Sequence, residues 1–167
     1  MKDKLTESDI KKMEEEIEYR RVTLRPQLLE SVKETRAHGD LSENFEYHAA
    51  KREKNKNDSR IRYLERMVRS AVVISDSSKE DEVGINNTVT VCFEEDKQEA
   101  QYKIVTTVRS NSLKGLISIE SPLGKALLRH KAGDRVQVQV NENISYYVVI
   151  RAIDKTTDDT DDAIRQY

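Results

Sequence analysis

Cysteine is nearly absent from this 167-residue chain, which contains one cysteine, no tryptophan and two prolines. A single cysteine excludes a disulfide framework and a zinc site built from several thiolates. The neighbours of Cys92 in "VTVCF" predict a buried strand residue. No apolar run approaches the roughly 20 residues that span a bilayer, and the start "MKDKLTESD" lacks the apolar segment of a signal peptide. We therefore expect a soluble, cytoplasmic protein that makes no contact with a membrane.

Charged and hydrophobic residues each make up 36% of the chain, which leaves little material for one large core. The length fits one ordinary domain or two small ones, so we expect part of the chain to be an elongated helical segment. The formal net charge of -2 conceals a run from Lys51 to Arg69 with eight basic residues and three acidic ones. By itself, such a run is most often a solvated helix face.

The first 74 residues have the pattern of a helical hairpin. Thr6 is suited to cap the first helix, Pro26 is expected to kink it because proline lacks the backbone donor, and Gly39 is expected to end it. The apolar residues recur with the spacing of one narrow seam. They are Ile10, Met13, Ile17, Leu24, Leu28 and Val32 in the first helix, then Tyr47, Ala50, Ile61, Leu64, Val68 and Ala71 in the second, with Lys54 and Asn57 as polar breaks. Two antiparallel helices over residues 1–74 fit this pattern best.

The second half of the chain changes to the period of β-strands. Short alternating or β-branched runs predict five strands, in "VTVCF", "QYKIVTTV", "LISIE", "DRVQVQV" and "ISYYVVIRAI". The three valines of "VQVQV" are expected to face the core, and Ser121 can cap a short helix with Pro122 at its first position. These elements predict a small α+β domain over 83–154. A polar linker at 75–82 precedes it, and an acidic tail at 155–167, expected to be disordered, follows it.

The connection between the two helices is the candidate for chemistry, since the chain has no nucleotide-binding glycine loop, paired helix histidines or serine elbow. Asp40 and Glu43 in this connection can be explained in two ways. They match a capping box, in which both carboxylates bind amide groups at the start of the second helix. They can also share a hard cation, although two carboxylates are too few to hold Mg²⁺ tightly without oxygens from another molecule.

Aromatic and basic residues flank the two acids. Phe45 and Tyr47 fall in the first turns of the second helix, where at most one ring can face the partner helix. One ring is therefore expected to be exposed and in contact with another molecule. Arg36, Lys51 and Arg52 lie within a turn or two of the acids, which suits a phosphate backbone approaching a metal at the tip.

The segment "HGDLSENFEYHAAK" resembles the tip signature of the GreA/GreB family of bacterial transcript-cleavage factors, which usually reads HGDLSENAEYHAAK. "RRVTLRPQLLESVKETRAHGD" is similar to the first helix of that family, and "ISIESPLGKALLRHKAGDRVQV" to its carboxy-terminal domain. The resemblance implies an α+β protein, with an antiparallel coiled-coil hairpin followed by a small FKBP-like domain. It also implies that the hairpin enters the secondary channel of RNA polymerase while the small domain docks at the channel rim.

The resemblance also implies roles for the tip residues. Asp40 and Glu43 match the two family acids that help hold a second Mg²⁺, which activates water for hydrolysis of the 3′ end of backtracked nascent RNA. Other tip residues of the family match Arg36, Asn44, Tyr47 and Lys51. The expected protein is a monomeric accessory factor rather than an enzyme. It donates carboxylates to a Mg²⁺ site shared with the polymerase and does not hold the ion tightly by itself.

Two features depart from the family pattern. Phe45 replaces alanine beside the acids, where its ring can stack on an extruded base or crowd the metal. The segment "KREKNKNDSRI", which includes Arg52, replaces the more usual "EEQGFIEGRI" and implies stronger contact with RNA. Two alternatives remain. One is a channel-binding regulator that does not stimulate cleavage, which the two acids disfavour. The other is a coiled-coil adaptor without a polymerase, which the length of the tip match disfavours.

Overall fold

The computed structural model describes residues 2–39, 43–156 and 158–166. By their internal contacts, these residues form two units. We call the first unit the hairpin, and its main part is Asp9–Ala71. We call the second the sheet unit, which combines Lys4–Ser8 with the chain from Val72 onward. No helix within the described ranges is both long enough and apolar enough to cross a membrane.

Two helical arms form the hairpin. The first arm runs without interruption through α1 (Glu7–Glu18), a π-helical segment (Tyr19–Leu24) and α2 (Arg25–Arg36). The second arm is α3 (Phe45–Ser70). Residues of rising number in the first arm contact residues of falling number in the second, in the pairs Glu16–Arg60, Arg20–Asn57 and Arg36–Tyr47. The arms are therefore antiparallel, as the sequence predicts.

The backbone changes its hydrogen-bond pattern immediately before Pro26, which lies in the first turn of α2. The N–H of Arg25 donates to the carbonyl of Arg20, five residues earlier. The amide of Asn57 donates to the same carbonyl at 3.1 Å, and Nη1 of Arg20 donates to Oδ1 of Asn57 at 3.0 Å. Asn57 is only 3% exposed. The disturbance predicted at Pro26 thus takes the form of a π-helical segment, and the polar break at Asn57 stabilises it from the opposite arm.

The predicted apolar seam is enclosed between the arms. All twelve of its residues are buried or half-buried, and Met13 and Leu64 have no exposed surface. A charged group interrupts the seam, where Nε of Arg60 and Nε of Arg20 both donate to Oε2 of Glu16, at 2.8 and 2.7 Å. Burial alone would raise the pKa of Glu16, but the hydrogen bonds from Arg60 and Arg20 hold it below its ordinary value. The Glu16 carboxylate therefore stays ionised between the two arms.

The described residues of the sheet unit form two sheets and, from Val72 onward, one α-helix and two short 3-10 helices. A small parallel pair joins β1 (Lys4–Leu5) to β2 (Val72–Val73). The main sheet contains β3 (Thr88–Phe93), β4 (Glu99–Val105), β5 (Leu116–Ser118), β6 (Arg135–Gln139) and β7 (Ser145–Asp154), with α4 (Pro122–Leu127) between β5 and β6 in the chain. The order across this sheet is β5-β4-β3-β7-β6. Among the paired strands that the structure describes in this sheet, only β4 and β5 run parallel to each other. The predicted α+β class is confirmed.

Side chains from the main sheet and α4 form one apolar core, which includes Val89, Ile104, Leu127, Val138 and Ile150. Cys92 is 5% exposed on β3, so the prediction of a buried strand residue is confirmed. Oγ of Ser121 accepts a hydrogen bond from the N–H of Gly124 at 3.1 Å, which is the predicted cap of α4.

Two features of the sheet unit differ from the sequence-based expectation. The sequence predicts that Val140 faces the core, but this residue is 46% exposed because β6 ends at Gln139. The composition of the tail predicts disorder, but Asp162 forms ion pairs with Lys103 and Arg109. Lys103 and Arg109 on the sheet unit supply partners for the Asp162 carboxylate, and the composition of the tail does not reveal them.

Candidate functional site at the hairpin tip

The predicted tip residues lie on both sides of the connection between α2 and α3. Asp40 lies outside the described residues. Glu43 is exposed and stands one residue before Asn44, the cap of α3. Arg36 is the last residue of α2, and Phe45 is the first residue of α3. The described part of the tip therefore presents an exposed carboxylate directly before a helix start.

Asn44 fixes the start of α3. Its Oδ1 accepts a hydrogen bond from the N–H of Tyr47 at 3.0 Å, which is the usual geometry of a helix N-cap. Its Nδ2 donates to the carbonyl of Thr35 at 2.6 Å, so the same side chain also holds the end of α2. The capping-box hypothesis is wrong for α3, because Asn44 caps this helix and Glu43 precedes the cap. The carboxylate of Glu43 is therefore not required for capping.

The two aromatic rings at the tip have different environments. Phe45 is 84% exposed and Tyr47 is 7% exposed, which confirms that only one of them faces the partner arm. The guanidinium of Arg36 lies over the Tyr47 ring, 5.7 Å from its centroid, and Nη2 donates to the phenol oxygen at 3.5 Å. This hydrogen bond from Arg36 outweighs burial and lowers the pKa of Tyr47, and the charge of Lys51 adds to the effect. Tyr47 thus holds Arg36 against the tip, while Phe45 presents its ring to solvent.

The basic residues nearest the tip form an exposed cationic surface, made of Arg36, Lys51 and Arg52. Lys51 lies close enough to Tyr47 to lower the pKa of its phenol. The structure therefore brings Arg36, Tyr47 and Lys51 into one electrostatic group, with Arg52 exposed on the next position of α3. A surface of this kind suits contact with phosphate groups.

One contact at the tip is not visible in the sequence pattern. Nδ1 of His38 lies 3.3 Å from Oε2 of Glu46, across the connection between the arms. The two residues belong to no common helix, so helical spacing does not predict their meeting. Only the family signature, which contains both residues, points to this pair.

The tip has donor chemistry suited to a hard cation, because carboxylate oxygens are the ligands that Mg²⁺ prefers. Within the part of the chain that the structure describes, no group of three or more His, Cys, Asp or Glu side chains could hold a metal ion. The carboxylates described at the start of α3 are those of Glu43 and Glu46, and the Glu46 carboxylate lies 3.3 Å from Nδ1 of His38. These two groups are too few for a site. A metal at the tip would need Asp40 and oxygens from another molecule as well.

Comparison with known families defines the class of protein. A family model described as "Transcription elongation factor, N-terminal" matches residues 4–73. A second, described as "Transcription elongation factor, GreA/GreB, C-term", matches residues 77–155. The two models together account for the helical arms and for the main sheet. The protein is therefore a transcription elongation factor.

Individual relatives cover most of the chain. It is 44% identical over 141 residues to GreA of Thermoanaerobacter pseudethanolicus, covering 84% of this chain and 90% of that protein. It is 42% identical over 134 residues to GreA of Macrococcus caseolyticus, covering 80% and 85%. The solved structure of GreA factor homolog 1 of Thermus thermophilus is 25% identical and has a TM-score of 0.43, covering 92% of this chain and 99% of that one. On the family models and the sequence matches, the chain belongs to the GreA/GreB family of transcription elongation factors.

Proposed function

We propose that this elongation factor binds RNA polymerase and stimulates the polymerase to cleave the 3′ end of backtracked RNA. The hairpin enters the secondary channel and the sheet unit docks at the channel rim. The observation that supports this proposal most is the exposed carboxylate of Glu43, which directly precedes the cap residue of α3 and is not used to cap that helix. The protein acts as an accessory factor, because its tip supplies only part of a catalytic site.

Asp40 and Glu43 are the residues that would hold Mg²⁺, together with oxygens from the polymerase and the RNA. Such an ion, when bound, lowers the pKa of a coordinated water and so supplies the nucleophile for phosphodiester hydrolysis. Asn44 positions Glu43, since its side chain is bonded both to the backbone of α3 and to the carbonyl of Thr35. The backbone next to so constrained a residue loses little further freedom when the Glu43 carboxylate binds a cation.

Phe45 and the exposed cations would contact the RNA. An exposed aromatic ring beside the acids can stack on an unpaired base of the backtracked 3′ end. Arg36, Lys51 and Arg52 would bind its phosphates. Tyr47 is buried beneath Arg36, so its contribution is to hold that guanidinium in place rather than to stack on the RNA.

A transcription assay with purified components tests the proposal. Polymerase is halted in a backtracked complex that carries 5′-labelled RNA, and the full chain is added with Mg²⁺. Shortened RNA and released 3′ fragments are expected. Naked RNA should remain intact when the polymerase is omitted, because two carboxylates do not assemble a two-metal site. If the protein binds the complex and leaves its RNA uncut, the proposal fails and the protein is a non-cleaving regulator.

A further inference from the structure

Arg109 is a buried cation in the sheet unit that the proposed function does not use. It lies in a short 3-10 helix, Thr107–Arg109, and is 1% exposed. A buried guanidinium is costly unless hydrogen bonds and an opposite charge compensate it. Nη1 of Arg109 donates to Oδ1 of Asn86 at 2.7 Å and to Oδ2 of Asp162 at 3.0 Å. Asp162 belongs to the acidic tail, so the tail supplies a counter-charge to a buried residue of the sheet unit.

A second cation binds the same carboxylate oxygen. Nζ of Lys103, on β4, lies 2.9 Å from Oδ2 of Asp162 and also donates to the carbonyl of Asp158 at 2.6 Å. The side chain of Asp162 is only 9% exposed in this position. Two cations that converge on one enclosed carboxylate oxygen make a binding site for a carboxylate group.

Backbone groups hold the tail on both sides of Asp162. Before it, the backbone carbonyl of Thr156 accepts a hydrogen bond from Nδ2 of the Asn87 side chain at 3.2 Å. After it, the N–H of Arg165 donates to the carbonyl of Val108 at 2.7 Å, next to Arg109 in the chain. The matched family model ends at residue 155, so the tail lies beyond the part of the chain that the family describes.

We propose that Lys103 and Arg109 form a carboxylate-binding site on the sheet unit, and that the tail occupies it in cis through Asp162. The ligand class is an acidic protein segment. The oxygen that Arg109 and Lys103 bind in this structure is that of a protein carboxylate, Asp162, whose side chain is 9% exposed. The tail is therefore an intramolecular competitor for any acidic segment that approaches this face of the sheet unit.

A double-mutant cycle on the full chain tests the cis contact. Asp162→Asn should lower the Tm by about 5 °C or more in the unaltered background, because it removes the charge of a carboxylate that is paired with the buried Arg109. The same change should have much less effect in an Arg109→Met background. Asp161→Asn is the matched control, since Asp161 is the exposed neighbour in the same tail, and it should leave the Tm unchanged. Equal effects of Asp162→Asn in both backgrounds would overturn the proposal. If Asp162→Asn alone does not fold, Arg109→Met should restore folding, and failure to do so also overturns it.

Binding in trans tests the ligand class. A synthetic peptide of residues 158–166 is titrated into the full-length Asp162→Asn variant, and the backbone resonances of Lys103 and Val108 are followed by NMR. These resonances should move towards their positions in the unaltered protein, while the unaltered protein itself should respond at least about tenfold more weakly because its site is filled in cis. The proposal is wrong if a peptide carrying Asp162→Asn binds as well, or if neither peptide binds.

Discussion

The side-chain amide of Asn44 lies 2.6 Å from the carbonyl oxygen of Thr35, so one residue joins the end of α2 to the start of α3. Glu43 and Phe45 are its immediate neighbours in the chain. Glu43 and Phe45, which carry part of the proposed chemistry, are therefore attached to a residue whose side chain is bonded to both arms. We therefore expect the position of Glu43 to depend on the uncharged side chain of Asn44 beside it.

Replacement of Asn44 by alanine tests this dependence. The loss of the cap should lower the free energy of unfolding by about 0.5–2 kcal/mol, measured by urea denaturation. Cleavage of backtracked RNA should fall further than this loss explains at temperatures where the variant is fully folded, because Glu43 and Phe45 lose their fixed position. Gln27→Ala, an exposed change on α2, is the control and should alter neither quantity. Full cleavage by a folded Asn44→Ala variant would show that the cap does not position the tip.

The Glu16 carboxylate predicts a pH dependence of hairpin stability. The hydrogen bonds from Arg60 and Arg20 outweigh burial and hold the folded-state pKa of Glu16 below its ordinary value of 4.5. Its contribution to stability is therefore complete above that value and is lost as the pH falls through the lower folded-state pKa. Unfolding free energies of the unaltered protein and of Glu16→Gln should differ at pH 7 and converge at low pH. Glu14→Gln, on the exposed face of α1, should show no such convergence. A constant difference at all pH values would contradict the assigned ion pairs.

The exposed cations near the tip predict a salt-dependent contribution to activity. Charge reversal in Lys51→Glu with Arg52→Glu should raise the concentration of factor needed for half-maximal cleavage, and the deficit should shrink as salt rises because screening weakens phosphate contacts. Arg69→Glu, at the other end of α3, is a control that reverses a single charge away from the tip. If the deficit is the same at every salt concentration, or the same for Arg69→Glu, the cationic surface is only a solvated helix face and does not contact phosphate.

Substitutions of Phe45 distinguish stacking of its ring on RNA from crowding of the metal. Because its ring is 84% exposed, Phe45→Ala should leave stability within about 0.5 kcal/mol of the unaltered protein. Cleavage should fall by a factor of about 5–150, the equivalent of a lost stacking contact of about 1–3 kcal/mol, and Phe45→Tyr should retain most of the activity. Faster cleavage by Phe45→Ala would mean that the ring crowds the metal. Unchanged cleavage would mean that it contacts only solvent.

The hairpin could be predicted from the sequence because its seam repeats with a regular period. Residues such as Met13 and Leu64 reveal their burial through spacing alone, and even the polar break at Asn57 falls at the predicted position. The partner of Asn57 could not be predicted. The carbonyl of Arg20 accepts this hydrogen bond within a π-helical segment, whose hydrogen-bond pattern is set by tertiary contacts rather than by periodicity.

Two other features depended on information that a local pattern does not contain. The pattern did not identify the cap of α3, because Asp40 and Asn44 are both suitable capping types and only the true start of the helix selects Asn44. The docking of the tail through Asp162 was hidden by an aspartate-rich composition typical of disorder. Its partner, Arg109, lies 53 residues earlier in the chain.

The most direct test of the proposed function compares Asp40→Asn and Glu43→Gln with the unaltered protein in cleavage of backtracked RNA and in competition for RNA polymerase. Both changes keep the shape of the side chain and remove the charge that Mg²⁺ requires. Each variant should fold, should compete with the unaltered protein for polymerase, and should cleave at least about tenfold more slowly, with little rescue by added Mg²⁺. Variants that compete equally and cleave at the unaltered rate would contradict a metal-binding role for the tip.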